Sequence, residues 1–112
     1  MPKKAWIVDL TDLAEKDFAD ILNWTAENFG ARQAGVYAGL LRAAVKALAS
    51  DPFTRPSRKR DEIGKGSRTL HVARPGRHML VYRLTAEDTV LVLRILHDSM
   101  ELSRHLPPEE DG

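Results

Sequence analysis

Residues 89–102 of the chain read TVLVLRILHDSMEL. The first nine of them, Thr89–His97, are dominated by valine, leucine and isoleucine, a composition typical of a buried β-strand. After His97 the run loses its apolar density and becomes a short amphipathic tail. We therefore predict that the last strand of the domain ends at His97.

Two more strands are predicted upstream of this run, over Arg68–Ala73 and Arg77–Leu84, and the polar residues Thr85–Asp88 join them to the last strand. Strict alternation divides the last strand into two faces, Val90, Val92, Arg94 and Leu96 against Leu91, Leu93, Ile95 and His97. Both faces of the central strands are thus partly apolar. A pair of helices covers one face only, so we expect an exposed apolar patch that awaits a partner.

The first half of the chain predicts one strand and two helices. Ala5–Leu10 alternates as a strand, and Thr11 or Asp12 can cap the helix that follows. Gly30 is a plausible stop for that helix, and a second helix spans about residues 31–50. The apolar stripe of the first helix recurs every three or four residues, at Ala14, Phe18, Ile21/Leu22, Thr25 and Phe29. The two helices form a hairpin.

These elements predict an α+β domain of order β-α-α-β-β-β, with a largely antiparallel four-stranded sheet and the helical hairpin on one face. A single domain covers residues 1–106, and residues 107–112 form a disordered tail. The chain has no cysteine, and no apolar run approaches the ~18 residues that span a bilayer. We expect a cytoplasmic protein without a membrane segment.

Positive charge is concentrated in one part of the chain. Nine basic and two acidic residues lie between residues 55 and 83, against 8 basic and 14 acidic residues elsewhere, although the formal net charge is only +1. This separation predicts a surface that attracts an anionic partner. The alternative is that a polar loop and exposed strand faces collect arginine and lysine for solubility.

Four local motifs resemble the ParE branch of the ParE/RelE toxin superfamily, and the resemblance covers nearly the whole chain. They are Leu10-Thr11-x-x-Ala14-Glu15-x-Asp17, Asn28-Phe29-Gly30, Gly76–Leu84 and Leu93–Met100. The resemblance implies the toxin half of a type II toxin–antitoxin pair, with a role in plasmid or chromosomal stability. It further implies a ParD-like antitoxin as partner and DNA gyrase as target.

The same resemblance assigns candidate surfaces. We predict a target-binding surface on the sheet and C-terminal segment, made of Arg68, Arg83, His97 and Met100. For the antitoxin we predict the exposed edge of the helical hairpin around Trp24 and Tyr37. The basic residues Arg58, Lys59 and Arg60 would attract an acidic antitoxin tail or target patch and raise the association rate.

Three alternatives remain open at this stage. The chain could be a ribosome-dependent mRNA endonuclease of RelE type that uses Arg68, Arg83 and His97, although Asp98–Leu102 lacks the arginines and tyrosine of that branch. It could be a decayed toxin that retains only antitoxin binding. His97 could be a structural hydrogen-bonding residue. We lean towards a stoichiometric inhibitor rather than an enzyme, without cofactor or metal, and without sequence-specific nucleic-acid binding by the toxin alone.

Overall fold

The computed structural model describes residues 5–100 and contains two helices and a five-stranded sheet. In chain order the elements are β1 (Ile7–Leu10), α1 (Asp12–Phe29), α2 (Ala31–Ser50), β2 (Arg58–Lys59), a 3₁₀ turn (Asp61–Ile63), β3 (Arg68–His71), β4 (His78–Ala86) and β5 (Thr89–His97). The predicted tail, residues 107–112, lies outside the described residues, as does the predicted domain end at residue 106.

The sheet has the strand order β1-β5-β4-β3-β2, with β1 parallel to β5 and all other pairs antiparallel. The predicted α+β class and element order are confirmed. The prediction of four strands was one short, because Arg58–Lys59, for which no strand was predicted, pairs with the start of β3 as a two-residue edge strand.

Local signals explain the boundaries of the helical hairpin. Thr11, not Asp12, is the N-cap of α1, and its Oγ1 accepts a hydrogen bond from the Ala14 N–H at 3.0 Å. The same hydroxyl donates to the Leu93 carbonyl at 2.8 Å, which ties the helix start to β5. Gly30 separates the two helices at φ 93°, a backbone conformation that costs glycine little.

The core lies between the helical hairpin and one face of the sheet. Leu41 and Leu48 of α2 are fully buried, as are Leu80 and Tyr82 of β4. The Tyr82 hydroxyl donates to the Pro52 carbonyl at 2.5 Å, so this large buried side chain keeps its polar atom satisfied.

A β-bulge in β5 changes which side chains face the helices. Val81 is opposite Arg94, whereas the next residue, Tyr82, is opposite Val92, so Leu93 has no counterpart on β4. The extra residue reverses the alternation downstream of it. Ile95 therefore joins the core with Val92, and the predicted grouping of Arg94 and Leu96 with Val92 was wrong.

On the second face of the sheet, where we expected an exposed apolar patch, the apolar side chains are buried. Met79, Val81 and Leu96 are only 9%, 0% and 2% exposed. The large exposed apolar side chains lie mainly on the helices, and Phe29, which we had placed in the buried stripe, is 64% exposed. Within residues 5–100, neither helix is long and apolar enough to cross a membrane.

Candidate functional site

An apolar groove opens between the helical hairpin and the ends of β4 and β5. Its volume is about 1110 Å³. The side chains that give it its character are Trp24, Phe29, Val36, Tyr37, His97 and Met100. We call this surface the apolar groove.

Exposed apolar side chains dominate the helical wall of the apolar groove. Trp24 is 58% exposed, Phe29 64% and Val36 54%, and the rings of Trp24 and Phe29 meet edge to face at 5.7 Å. Met100, 43% exposed, continues the apolar surface on the strand side. Contiguous apolar exposure is typical of interaction sites, so this surface is a candidate for one.

A chain of polar contacts joins the helices to the strand ends within the apolar groove. The Tyr37 hydroxyl accepts the Arg77 N–H at 3.0 Å and lies 2.5 Å from His78 Nδ1. The rings of His78 and His97 are 5.3 Å apart, edge to face, across the β4–β5 pair. At the far end, His97 Nδ1 accepts the Ser99 N–H at 3.1 Å.

The surroundings of two side chains in the apolar groove, His78 and Tyr37, shift their pKa values. Burial, reinforced by the neighbouring His97, lowers the pKa of His78 to about 4. Burial also raises the pKa of the Tyr37 hydroxyl above its ordinary value. A neutral His78 whose Nδ1 accepts the Tyr37 hydroxyl hydrogen fits both the distance and the pKa. The Ser99 contact is compatible with the structural hydrogen-bonding role that the sequence left open for His97.

An ion pair between Asp17 and Arg94 joins α1 to β5 at the edge of the apolar groove. Asp17 of α1 accepts two hydrogen bonds from the Arg94 guanidinium, at 2.7 and 2.9 Å. Its carboxylate also accepts the Ile95 N–H at 3.0 Å. The side-chain hydrogen bond to Asp17 raises the pKa of Arg94. Since β1 pairs with β5 only as far as Val92, Asp17 continues the edge contacts of β5 beyond the last residue of β1.

A second surface, which we call the basic groove, has a volume of about 790 Å³. Its charged and ionisable side chains are Arg58, Arg60, His71, Arg74, Arg77 and Asp98. Asp98 pairs with the Arg77 guanidinium and with His71 Nε2, at 3.0 and 2.9 Å. The hydrogen bond from Arg77, followed by that from His71, holds the pKa of Asp98 well below its usual range. Pro75 and Arg77 line both grooves, so the two surfaces adjoin.

The structure brings some of the predicted site residues together and separates others. Trp24 and Tyr37, predicted for the antitoxin, share the apolar groove with His97 and Met100, predicted for the target. Arg58 and Arg60 line the basic groove, whereas Lys59, exposed between them in sequence, does not.

The three residues of the RelE-type alternative lie apart. Arg68 donates to Ser57 Oγ at 2.7 Å and stacks over the Phe53 ring at 5.3 Å. Arg83 is exposed and lies on β4 five residues after His78, which is about 17 Å along the strand. His78 is the residue of β4 that pairs with His97 of β5. Within the described residues, neither groove lining contains Arg68 or Arg83, whereas His97 lines the apolar groove.

Sequence reasoning missed several residues of both grooves. His78 and Arg77 were placed in the predicted strand Arg77–Leu84 without a functional role, and the pairing of His78 with His97 follows from a register that the bulge sets. Arg74 was counted only among the basic residues. Among residues 5–100 no group of three or more histidine, aspartate or glutamate side chains could hold a metal ion.

A two-helix hairpin packed on a mixed five-stranded sheet is the architecture of the RelE-like toxins. The chain is similar in structure to a protein of the chromosomal ParDE toxin–antitoxin system from P. aeruginosa, with a TM-score of 0.72, 20% identity, and coverage of 83% of this chain and 96% of that one. It is also similar to a chain of the toxin–antitoxin complex RelBE2 from Mycobacterium tuberculosis, with a TM-score of 0.53, 25% identity, and coverage of 83% and 98%. The fold of the chain is thus RelE-like.

Sequence comparison identifies the branch. Residues 8–102 match the family described as the ParE toxin of the type II toxin–antitoxin system parDE. Toxin ParE1 from Mycobacterium tuberculosis is 36% identical over 97 residues, covering 87% of this chain and 94% of that protein. Toxin ParE1 from Caulobacter vibrioides is 30% identical over 98 residues, with the same coverage. The chain belongs to the ParE family of type II toxins, as the sequence resemblance predicted.

Proposed function

We propose that this ParE-family toxin inhibits DNA gyrase in the cytoplasm by binding it as a protein ligand, and that a ParD-like antitoxin neutralises it. The observation that carries the proposal is the apolar groove. Trp24, Tyr37, His97 and Met100 meet there on one continuous surface with a volume of about 1110 Å³.

The groove suits an amphipathic helix. Such a helix buries its apolar face by placing side chains at i, i+3, i+4 and i+7 into a hydrophobic cleft. The exposed rings of Trp24 and Phe29 offer aromatic anchors, which contribute strongly to binding energy when a partner desolvates them. A largely disordered antitoxin segment that orders on binding can supply this helix.

The same groove explains neutralisation by competition. His97 and Met100 were predicted to contact the target, and Trp24 and Tyr37 to contact the antitoxin, yet all four line one groove. A partner that fills the groove therefore covers the surface that the other needs. Toxicity and neutralisation are then two binding equilibria at overlapping sites, and no chemical turnover is required.

No observation favours the endoribonuclease alternative. An RNase needs cations and proton-transfer groups on one scissile phosphate, and Arg68, Arg83 and His97 lie apart. His78 is also poorly suited to shuttling protons near neutral pH, since its pKa is about 4.

The proposal is tested with purified toxin and DNA gyrase in supercoiling and DNA-cleavage assays, with and without the cognate antitoxin. We expect loss of supercoiling and accumulation of cleaved DNA at toxin concentrations comparable to that of gyrase, and relief on addition of antitoxin. A well-folded toxin that leaves gyrase untouched but cleaves mRNA on ribosomes would contradict the proposal.

A further inference from the structure

The basic groove plays no part in the proposed competition between antitoxin and target for the apolar groove. Its lining nevertheless concentrates positive charge. Four arginines line it, Arg58, Arg60, Arg74 and Arg77, and Asp98 is the acidic residue of the lining. Both ring nitrogens of His71 lie against oxygen atoms, the Val72 carbonyl at 2.7 Å and the Asp98 carboxylate at 2.9 Å. The surface is therefore strongly electropositive.

The arginines of the basic groove fall into two groups. Asp98 holds Arg77 through both Nε and Nη2, and Arg60 donates to Thr69 Oγ1 at 3.1 Å. The side chains of Arg58 and Arg74 are exposed and make no ion pair or hydrogen bond within the described range 5–100. Two guanidinium groups are thus fixed in place, and two others are available to a ligand.

The chemistry of the lining favours a phosphate backbone. A guanidinium binds phosphate oxygens through two parallel hydrogen bonds. Among the described residues 5–100, no aromatic side chain lines the groove apart from the ring of His71, which is held by Asp98. Proteins that bind single strands stack bases on aromatic rings, so this groove is better suited to a duplex, whose bases are already stacked and whose phosphates face outward.

The position of the basic groove identifies the source of that duplex. Pro75 and Arg77 belong to both linings, so a protein that fills the apolar groove lies directly beside the basic groove. Gyrase carries duplex DNA. A toxin docked through its apolar groove can therefore present the arginines to DNA held by its target.

We propose that the basic groove binds the phosphate backbone of double-stranded DNA, and that in the cell this is the duplex held by DNA gyrase. The identity of the source rests on the proposed function. The contact is electrostatic and blind to base sequence, since hydrogen bonds to phosphate oxygens carry no sequence information. It supplements the protein–protein contact and does not replace it.

The first experiment measures binding of the toxin alone to a short labelled duplex by fluorescence anisotropy, between about 50 and 200 mM salt. The test variant is the double substitution Arg58→Ala/Arg74→Ala. The matched control is Arg32→Ala/Arg42→Ala, which removes the same charge from exposed positions on α2 outside both groove linings. Circular dichroism and thermal unfolding confirm that both variants are folded.

We expect the test variant to bind the duplex about tenfold more weakly at low salt and to reduce the slope of log affinity against log salt by about 2, since each lost phosphate contact removes about 0.9. The control should retain the wild-type slope. Equal behaviour of the two variants would overturn the proposal. So would tighter binding of single-stranded RNA of the same length, or of polyglutamate, than of the duplex.

A second arm separates this inference from the proposed function. In the gyrase assays the test variant should need a higher toxin concentration to accumulate cleaved DNA, and the control should not. If the toxin binds duplex DNA through the basic groove but never affects gyrase, the proposed function fails and the groove assignment stands. If gyrase is inhibited equally by wild type and test variant and the toxin alone does not bind the duplex, the groove assignment fails and the proposed function stands.

Discussion

His78 shows how one side chain can couple the fold to solution conditions. Tyr37 of α2 meets its Nδ1, and the His97 ring of β5 meets its edge. Asp98, Asp17 and His71 act on it from further away, with Asp98 and Asp17 favouring the charged ring and His71 opposing it. Burial outweighs the acidic neighbours, and the pKa falls to about 4.

The depressed pKa of His78 predicts a loss of stability in mild acid. The unfolded chain binds the proton near its ordinary pKa of about 6.5, before the folded protein does. The contribution of His78 is therefore negligible above pH 6.5, becomes unfavourable as the pH falls towards 4, and is constant below that. Because the ring is only partly buried, we expect a loss of about 1 kcal/mol between pH 7.5 and pH 5.

Urea unfolding of the wild type and of His78→Gln at both pH values measures this contribution. The variant should lose less stability than the wild type between pH 7.5 and pH 5, whatever its absolute stability. An identical pH dependence in the two proteins would show that His78 does not titrate with folding.

Asp17 is the residue at which a small change of side chain should lower the free energy of unfolding most. Its side chain is 14% exposed and carries the Arg94 pair together with the Ile95 N–H. Asp17→Ala leaves a partly buried guanidinium and a backbone donor without their acceptor, and should reduce the free energy of unfolding by about 2 kcal/mol.

The matched control for Asp17 is Asp20→Ala on the same helix. Asp20 pairs with Lys16 on the exposed surface, where side chains are 58% and 69% exposed, and such pairs contribute little. Denaturant unfolding of both variants should therefore show a clear shift of the midpoint for Asp17→Ala alone. A comparable shift for Asp20→Ala would mean that the contacts of Asp17 to β5 are not the cause.

At the scale of elements, the sequence predicted the helices whose ends are marked by capping residues, glycine or proline. It did not predict the bulge in β5 or the short strand β2. Thr11, Gly30 and the Asp51-Pro52 pair mark the helix ends, and α2 spans the predicted residues 31–50. The bulge at Leu93 left no signal, because Thr89–His97 is apolar on both faces and alternation cannot reveal a shift of phase. The two-residue strand β2 is too short to carry a period at all.

At the scale of a single element, the contribution of the N-terminal cap of α1 to stability can be measured by itself. Thr11 caps the helix and also donates to the Leu93 carbonyl beside the bulge. Thr11→Ala should reduce stability by about 1 to 2 kcal/mol, the usual cost of losing an N-cap oxygen. Thr11→Ser retains that oxygen and should stay close to wild type in thermal unfolding. Equal losses in both variants would point to the methyl group rather than to the cap.

At the scale of the whole molecule, helix and strand residues far apart in sequence form one surface. The sequence singled out Trp24, Tyr37, His97 and Met100 separately, because each belongs to a recognisable motif or element. It did not predict that they share a groove, since that requires the packing of α1 and α2 against the ends of β4 and β5. It also did not reveal that Pro75 and Arg77 connect this groove to the basic one.

The shared groove predicts that antitoxin binding and gyrase inhibition are lost together. Trp24→Ala removes an exposed ring that a partner would bury, and central aromatic contacts typically contribute 2 kcal/mol or more. We expect about a thirtyfold or greater loss of antitoxin affinity by isothermal titration calorimetry, and a parallel rise in the toxin concentration that inhibits gyrase. Leu13→Ala is the control, because Leu13 is an equally exposed apolar residue of α1, at 52%, outside both grooves.

Competition gives this prediction its sharper form. If one groove serves both partners, gyrase should displace antitoxin from the toxin, and antitoxin should displace gyrase, without formation of a ternary complex. Size-exclusion chromatography of the three-component mixture measures this directly. A stable ternary complex, or a Trp24→Ala variant that loses antitoxin but inhibits gyrase at full strength, would place the target on a different surface and leave the apolar groove to the antitoxin alone.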